Sequence, residues 1–230
     1  RHAFCIRDYL LVTRGVDPDE LERARMETMQ SGYDSGDKPL LNVCAYVSFQ
    51  ELATRVSHRN TGKFTDEPIA EKLLIRVAKD ENLHMIFYRN TLGATLELDP
   101  NGTMRAITDV VKTFQMPGHS IDGFMRKSAI IANAGIYDVR QHKDQVLAPV
   151  LRQWKVWDLE GLDAGGGLQH LVALAQQGAR GDLAHDVLVL HQQHAACAGE
   201  IADRRFLLLL GARNLVVVLD DVARESAMRG

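Results

Sequence analysis

Three features of the sequence predict an all-α protein. Apolar residues recur every three or four positions from His2 to about Trp157, strings of turn formers separate those stretches at helix-length intervals, and no convincing alternating strand precedes residue 160. The first helix runs from His2 to about Arg14. Cys5, Tyr9 and Val12 already recur at helical spacing with no capping residue ahead of them, and the chain opens on Arg1 instead of Met, so the pattern predicts a helix that continues upstream. Gly15 and the pair Asp17-Pro18 give a stop and a new start, and the second helix reaches about Gln30. The stretch Ser31 to Pro39 reads as a loop. A longer helix follows over Leu41 to Arg59, then a turn over Asn60 to Pro68, then a helix over Ile69 to Leu96. Asp99-Pro100-Asn101-Gly102 is a strong turn signal, and the next amphipathic run, through Phe114, is broken by Met116-Pro117-Gly118. Two further helices are expected around Asp122 to Ala134 and Arg140 to Trp154.

Beyond Asp163 the character changes to a triple glycine and an Ala-, Gln- and His-rich tail ending in Leu215-Val216-Val217-Val218-Leu219. Residues 1–160 are therefore read as one helical domain and 161–230 as a divergent tail. His191 and His194 share a helical face there, but no Cys, Asp or Glu at close spacing completes a ligand set.

Composition narrows the function. The 230 residues are 46% hydrophobic and 25% charged, enough for one large core or two modest ones. A net charge of −3, from 27 basic and 30 acidic residues, leaves no electrostatic footprint for nucleic acid and no polybasic attraction to membranes. Apolar runs such as Phe206 to Leu210 span five residues, against roughly 18 to 20 for a bilayer span. Cys5, Cys44 and Cys197 are an odd, widely spaced set, as expected of a cytoplasmic protein without a disulfide framework.

Chemistry enters where polar residues interrupt apolar stripes. After Pro68 the inward stripe reads Ile69, Leu73, Val77, Glu81, His84, Tyr88. A carboxylate buried among aliphatic side chains carries a large desolvation cost, so Glu81 must be neutralised, paired or bound to a cation. Glu81 and His84 form E-x-x-H, which puts an oxygen and an imidazole donor on one face, a set suited to iron or manganese. The preceding helix has the same interruption: Cys44, Val47, Glu51, Thr54 and His58 share a face. If the two helices form a hairpin turning near Phe64, Glu51 lies about 13 residues before the turn and Glu81 about 17 after it. The offset is then only about one turn, and the carboxylates face each other. Like charges so placed repel unless a cation lies between them.

Bundles of four helices that give two E-x-x-H motifs and two further glutamates to a metal pair have this pattern. Half of the set is explicit here, and His2 is placed to be the histidine of the second motif, whose glutamate would lie upstream of Arg1. A buried Glu81–His84 ion pair without metal is the competing explanation. For Thr54 a hydroxyl bonded to the carbonyl of Gln50 suffices, and for His58 an ordinary buried hydrogen bond.

An ordered series of strings narrows the choice: Arg1-His2 with Arg7-Asp8-Tyr9-Leu10; Ser48-Phe49-Gln50-Glu51-Leu52-Ala53-Thr54; Ser57-His58-Arg59-Asn60-Thr61-Gly62; Asp80-Glu81-Asn82-Leu83-His84; and Phe114-Gln115-Met116-Pro117-Gly118. Over roughly residues 1 to 160 the chain resembles the soluble acyl-[acyl-carrier-protein] desaturases, most closely their actinobacterial members. The resemblance implies a ferritin-like four-helix bundle with additional helices, the N-terminal part of the bundle lying outside this chain. It also implies two irons, with His2, Glu51, Glu81 and His84 as ligands, Thr54 beside the oxygen-binding face and Asp80 orienting His2. The implied reaction inserts a cis double bond into a saturated acyl chain with dioxygen and external electrons, in unsaturated fatty acid biosynthesis. The implied partners are an acyl carrier protein thioester as substrate, a ferredoxin-type electron donor and a second subunit in a homodimer. Arg55, Arg59, Lys63, Lys72 and Arg76 are candidate docking cations, and Tyr46, Phe49, Met85 and Phe87 are either acyl-channel or core residues. The readings set against this one are a catalytically silent bundle with a structural role and another diiron oxygenase.

Overall fold

The computed structural model describes residues 2–31, 38–116 and 123–163. The tail from residue 164, with its histidines, and the expected breaks at 32–37 and 117–122 lie outside the described residues. Within them the elements are α1 (His2–Val12), α2 (Pro18–Ser31), α3 (Leu40–Thr65), α4 (Pro68–Leu98), α5 (Pro100–Thr113), α6 (Phe124–Asn133), α7 (Val139–Gln141), a π-helical turn (His142–Leu147), α8 (Ala148–Gln153) and a 3-10 turn (Val156–Asp158). No strand occurs among the described residues, so the all-α expectation holds.

The α3/α4 hairpin is the frame of the molecule, and its turn is tighter than the sequence suggests. The loop expected over Asn60 to Pro68 is only Asp66 and Glu67. Asn60-Thr61-Gly62, read locally as turn formers, stay helical because tertiary contacts hold them. Asn60 Nδ2 donates to the carbonyl of Ile136 at 2.8 Å, while Thr61 Oγ1 bonds back within the helix to the carbonyl of Ser57 at 2.8 Å. Gly62 marks close approach instead of a stop, since a Cβ there would lie 3.3 Å from Cα of Glu71 on α4. The chain reverses at Asp66, whose φ of 52° is left-handed. Glu67 then caps α4 by accepting from the backbone N–H groups of Ile69 (3.0 Å) and Ala70 (2.7 Å), with Pro68 in the first turn where its missing N–H costs nothing. Those two bonds, with a third from the Tyr9 hydroxyl, hold the Glu67 carboxyl below its usual range.

Asp99 ends α4 and starts α5, accepting from the N–H of Gly102 at 2.8 Å. α5 packs against both hairpin helices with Met104, Ile107 and Val110 inward. Phe49, Leu92, Met104, Ile107, Val146, Val150 and Val156 lie in the main core. Phe49 meets Trp154 edge-on at 5.5 Å between ring centres, and Trp154 Nε1 donates to the carbonyl of Arg89 at 2.8 Å. Phe49 and Met85 are thus core residues, while Phe87 is 63% exposed.

The single helix expected over Arg140 to Trp154 is broken in register. Pro149 has no N–H to give one turn back and its ring crowds the carbonyl there, so the helix widens ahead of it and the N–H of Ala148 reaches the carbonyl of Lys143. The widened turn stacks His142 on Phe114, ring centres 4.4 Å apart, with the Tyr137 hydroxyl 2.7 Å from His142 Nδ1.

α1 lies antiparallel to α4 and parallel to α3. Ile6 and Leu10 join Val16, Leu21, Leu74 and Val77 in a second apolar cluster. The Tyr9 hydroxyl donates to Glu67 Oε2 at 2.7 Å at one end, and His2 reaches Asp80 and Glu81 at the other. One correction concerns α4: Ile69, expected inward, is exposed, because the buried stripe begins one residue later at Ala70 and runs through Leu74, Val77, Ala78, Glu81 and Met85.

Candidate metal centre

The short turn fixes the register of the hairpin. Glu51 stands 15 residues before Asp66 and Glu81 stands 14 after Glu67, so the two carboxylates fall level. Both side chains are 2% exposed. Glu81 Oε2 lies 3.0 Å from His84 Nδ1, and Glu81 Oε1 lies 3.0 Å from His2 Nδ1. The other ring nitrogen of His2, Nε2, is 3.1 Å from Asp80 Oδ2. His84 Nδ1 is also 3.4 Å from Glu51 Oε2, an oxygen that is buried and has no hydrogen-bond partner. The side chain of His84 is 40% exposed, so the cluster opens to one side.

Electrostatics follow from burial and proximity. Burial, opposed by His84 and reinforced by the Glu81 carboxylate, pushes the Glu51 carboxyl up to about 7. Burial acts the same way on Glu81, but hydrogen bonds from His2, His84 and Glu51 overcome it and hold that carboxyl well below the usual carboxylate range. The carboxylates of Glu51 and Glu81 raise His84 to about 10. Hydrogen bonds to Glu81 and Asp80, opposed by burial, raise His2. His2 and His84 are thus the groups that face the buried acids, both with raised proton affinity.

The expected ligands are brought together. One donor atom each from Glu51, Glu81 and His84 lies within 4.8 Å of the others, and His2 touches Glu81 directly. The donor set fits a divalent cation: two carboxylates and an imidazole converge, and Glu51 Oε2 presents lone pairs to the same space with nothing to accept. Asp80 sits where an orienting group for His2 would sit, with Arg76 Nε 3.8 Å from its other oxygen. Thr54 is buried, but its hydroxyl turns to its own helix, donating to the carbonyl of Gln50 at 2.8 Å and accepting from Gln50 Nε2 at 3.0 Å. His58 differs from expectation. It is 5% exposed, yet its Nε2 has no hydrogen-bond partner and stands 4.0 Å from Glu81 Oε1. Burial pushes this imidazole down to about 4. A satisfied core histidine, as the sequence suggests, would have a partner there; its place seven residues after Glu51 on the same face is the sequence signal that it belongs with the cluster.

Arg59, Lys63, Lys72 and Arg76 are exposed and Arg55 is half-buried, all on the half of the hairpin nearest its turn. No described helix is long and apolar enough to cross a membrane.

A model of the fatty acid desaturase family matches residues 1–180. The chain is 45% identical over 174 residues to DesA1 of Mycobacterium tuberculosis, whose name assigns it as an acyl-[acyl-carrier-protein] desaturase; the match covers 72% of this chain and 52% of DesA1. It is 32% identical over 221 residues to the chloroplastic stearoyl-[acyl-carrier-protein] 9-desaturase 6 of Arabidopsis thaliana, covering 89% of this chain and 56% of that protein. Among solved structures, that of DesA2 of M. tuberculosis, named as an acyl-ACP desaturase, superposes with a TM-score of 0.57 at 26% identity, covering 69% of this chain and 61% of the other. The chain thus spans about half the length of the relatives it matches in sequence.

Proposed function

Because the chain belongs to the fatty acid desaturase family, we propose that it carries the second half of the metal centre of an acyl-[acyl-carrier-protein] desaturase. The observation that carries this reading is the buried, unpartnered Glu51 Oε2 beside Glu81 and His84.

A methylene in the middle of an acyl chain is too weak an acid for any side-chain base. Iron, which suits mixed carboxylate and imidazole donors, would supply the oxygen activation that the reaction needs. Glu51, Glu81 and His84 would hold one ion, and His2 would face a neighbouring position across Glu81. To ligate, His84 and His2 present a ring lone pair instead of the proton each now shares with Glu81, and Glu51 gives up its own proton. Asp80 keeps His2 in one ring orientation through Nε2. Val77 and Met85, each one turn from Glu81 on the same helix, are buried. Phe4, Leu83 and Phe87 are exposed, the latter two one turn apart on the helix that carries His84. An acyl carrier protein, acidic and bearing the substrate thioester, would dock on the cations near the hairpin turn. A ferredoxin-type donor would supply electrons, and the working form would be a homodimer.

One observation favours a second reading. Both oxygens of Glu81 already lie 3.0 Å from an imidazole nitrogen, of His2 and of His84, so the fold can keep the buried carboxylate without metal, as a silent bundle would. Anaerobic loading with ferrous ion, followed by supply of a saturated acyl-carrier thioester, dioxygen and reduced ferredoxin, separates the two. Iron uptake with an alkene product supports the desaturase. A protein that folds but stays iron-free supports the silent bundle, and a hydroxylated product points to another oxygenase of the same architecture.

A further inference from the structure

Among the described residues near the carboxylates, His58 is the one for which the metal-free arrangement provides no use. It reaches the cluster from α3 on the face that carries Glu51, buried at 5% exposure, with Nε2 unpartnered 4.0 Å from Glu81 Oε1. Buried polar atoms are paired almost everywhere in folded proteins, so an orphaned imidazole nitrogen calls for a physical explanation. The second orphaned atom in the cluster, Glu51 Oε2, is explained by a cation. The nitrogen of His58 faces the other carboxylate, Glu81.

The explanation lies in what a cation would do to Glu81. At present its oxygens accept from the two histidines implied as ligands, Oε1 from His2 and Oε2 from His84, each at 3.0 Å. A ring nitrogen that gives its lone pair to a metal cannot also donate a proton from the same atom. Once His84 and His2 ligate through those nitrogens, Glu81 loses both hydrogen bonds together. Carboxylates that bind metals are themselves held by hydrogen bonds, and their orientation depends on it. The nearest remaining side-chain nitrogen among the described residues is His58 Nε2, 4.0 Å from Glu81 Oε1. Its present gap exceeds a hydrogen bond by roughly 1 Å, a distance that a rotation of the Glu81 side chain can close.

Resting on the metal reading above, we propose that His58 is a positioning residue that holds Glu81 through Nε2 in the metal-loaded centre, replacing the donors that ligation removes. The role needs only a neutral N–H at that point, so glutamine, whose amide nitrogen reaches a similar place, should serve, while an apolar residue of similar bulk should not.

The test uses Co(II) as the probe, titrated anaerobically into the full 230-residue chain and followed by its visible ligand-field bands, with helix content monitored by circular dichroism. His58→Leu is expected to weaken Co(II) binding about 10- to 100-fold and to shift the bands, as loss of a group supporting a ligand does. His58→Gln is expected to keep both near the wild-type values. If the leucine variant does not fold, His58→Met carries the same comparison. An apolar variant that matches wild type in affinity and bands overturns the assignment. A glutamine variant as weak as the apolar one also overturns it and makes His58 a ligand. Wild-type protein that takes up no Co(II) overturns the metal reading itself, a result distinct from either.

Discussion

His84 Nδ1 lies 3.0 Å from Glu81 Oε2, one helical turn away on the same helix; Glu51 and then Glu81 raise the imidazole, while His2 and then His84 hold the Glu81 carboxyl down against burial. Among the described residues neither partner is paired with an arginine, and the groups that face the buried acids are the imidazoles of His2 and His84. A divalent cation would offset the same acids and would also satisfy the orphaned oxygen of Glu51.

The hairpin register depends on the closest approach of α3 and α4. Gly62→Ala should gain up to about 1 kcal/mol of helix propensity, but its Cβ would press on backbone at 3.3 Å, where no side chain can move aside. Net destabilisation is expected in urea denaturation. Gly93→Ala, whose Cβ would meet Trp154 at an ordinary 3.5 Å, should be neutral or stabilising. Equal gains at both sites would contradict the close-contact account.

Trp154 joins the last described segment to the hairpin through Phe49 and the carbonyl of Arg89. Trp154→Ala should cost about 3–5 kcal/mol of unfolding free energy by leaving a cavity. Trp154→Phe should cost less, losing chiefly the hydrogen bond. A loss under about 1 kcal/mol for the alanine variant would show that the segment does not contribute to the core.

Burial pushes His142 down to about 4, with Phe114 stacked on its ring and the Tyr137 hydroxyl at Nδ1. The unfolded chain takes up this proton near 6.5 while the folded one resists it until about 4, so stability falls as pH drops through that window and is fully present above it. The contribution is up to about 3 kcal/mol. Denaturation at pH 7 and pH 5 should show a smaller acid loss in His142→Phe than in wild type. The same loss in both proteins would assign the effect to other groups.

Thr54→Val should lower stability by about 1 kcal/mol, because it removes the hydroxyl that Gln50 Nε2 donates to inside a buried helix face. Iron uptake should be unchanged, since the hydroxyl turns away from the carboxylates. Loss of uptake in a folded variant would place Thr54 among the groups that hold metal.

Much of the site was legible because a charged residue in an apolar helical stripe stands out in one dimension. Glu51 and Glu81 each interrupt such a stripe, and helix rise alone brings them level across a hairpin. The turn itself was misplaced, since Asn60, Thr61 and Gly62 favour turns locally and only contacts with Ile136 and α4 keep them helical. The widened turn before Pro149 also escaped notice: its cause, a missing N–H, is local, but its benefit, the seating of His142 on Phe114, is tertiary. His58 shared the correct face in the sequence, yet the absence of a partner for its nitrogen is visible only in three dimensions.

Iron retained after anaerobic ferrous loading and desalting, measured per chain by mass spectrometry, tests the central claim most directly. Wild-type protein should retain iron, and Glu51→Gln and Glu81→Gln should lose it while keeping their helix content. A folded wild-type chain that holds no iron, or variants that hold as much as wild type, would contradict the account.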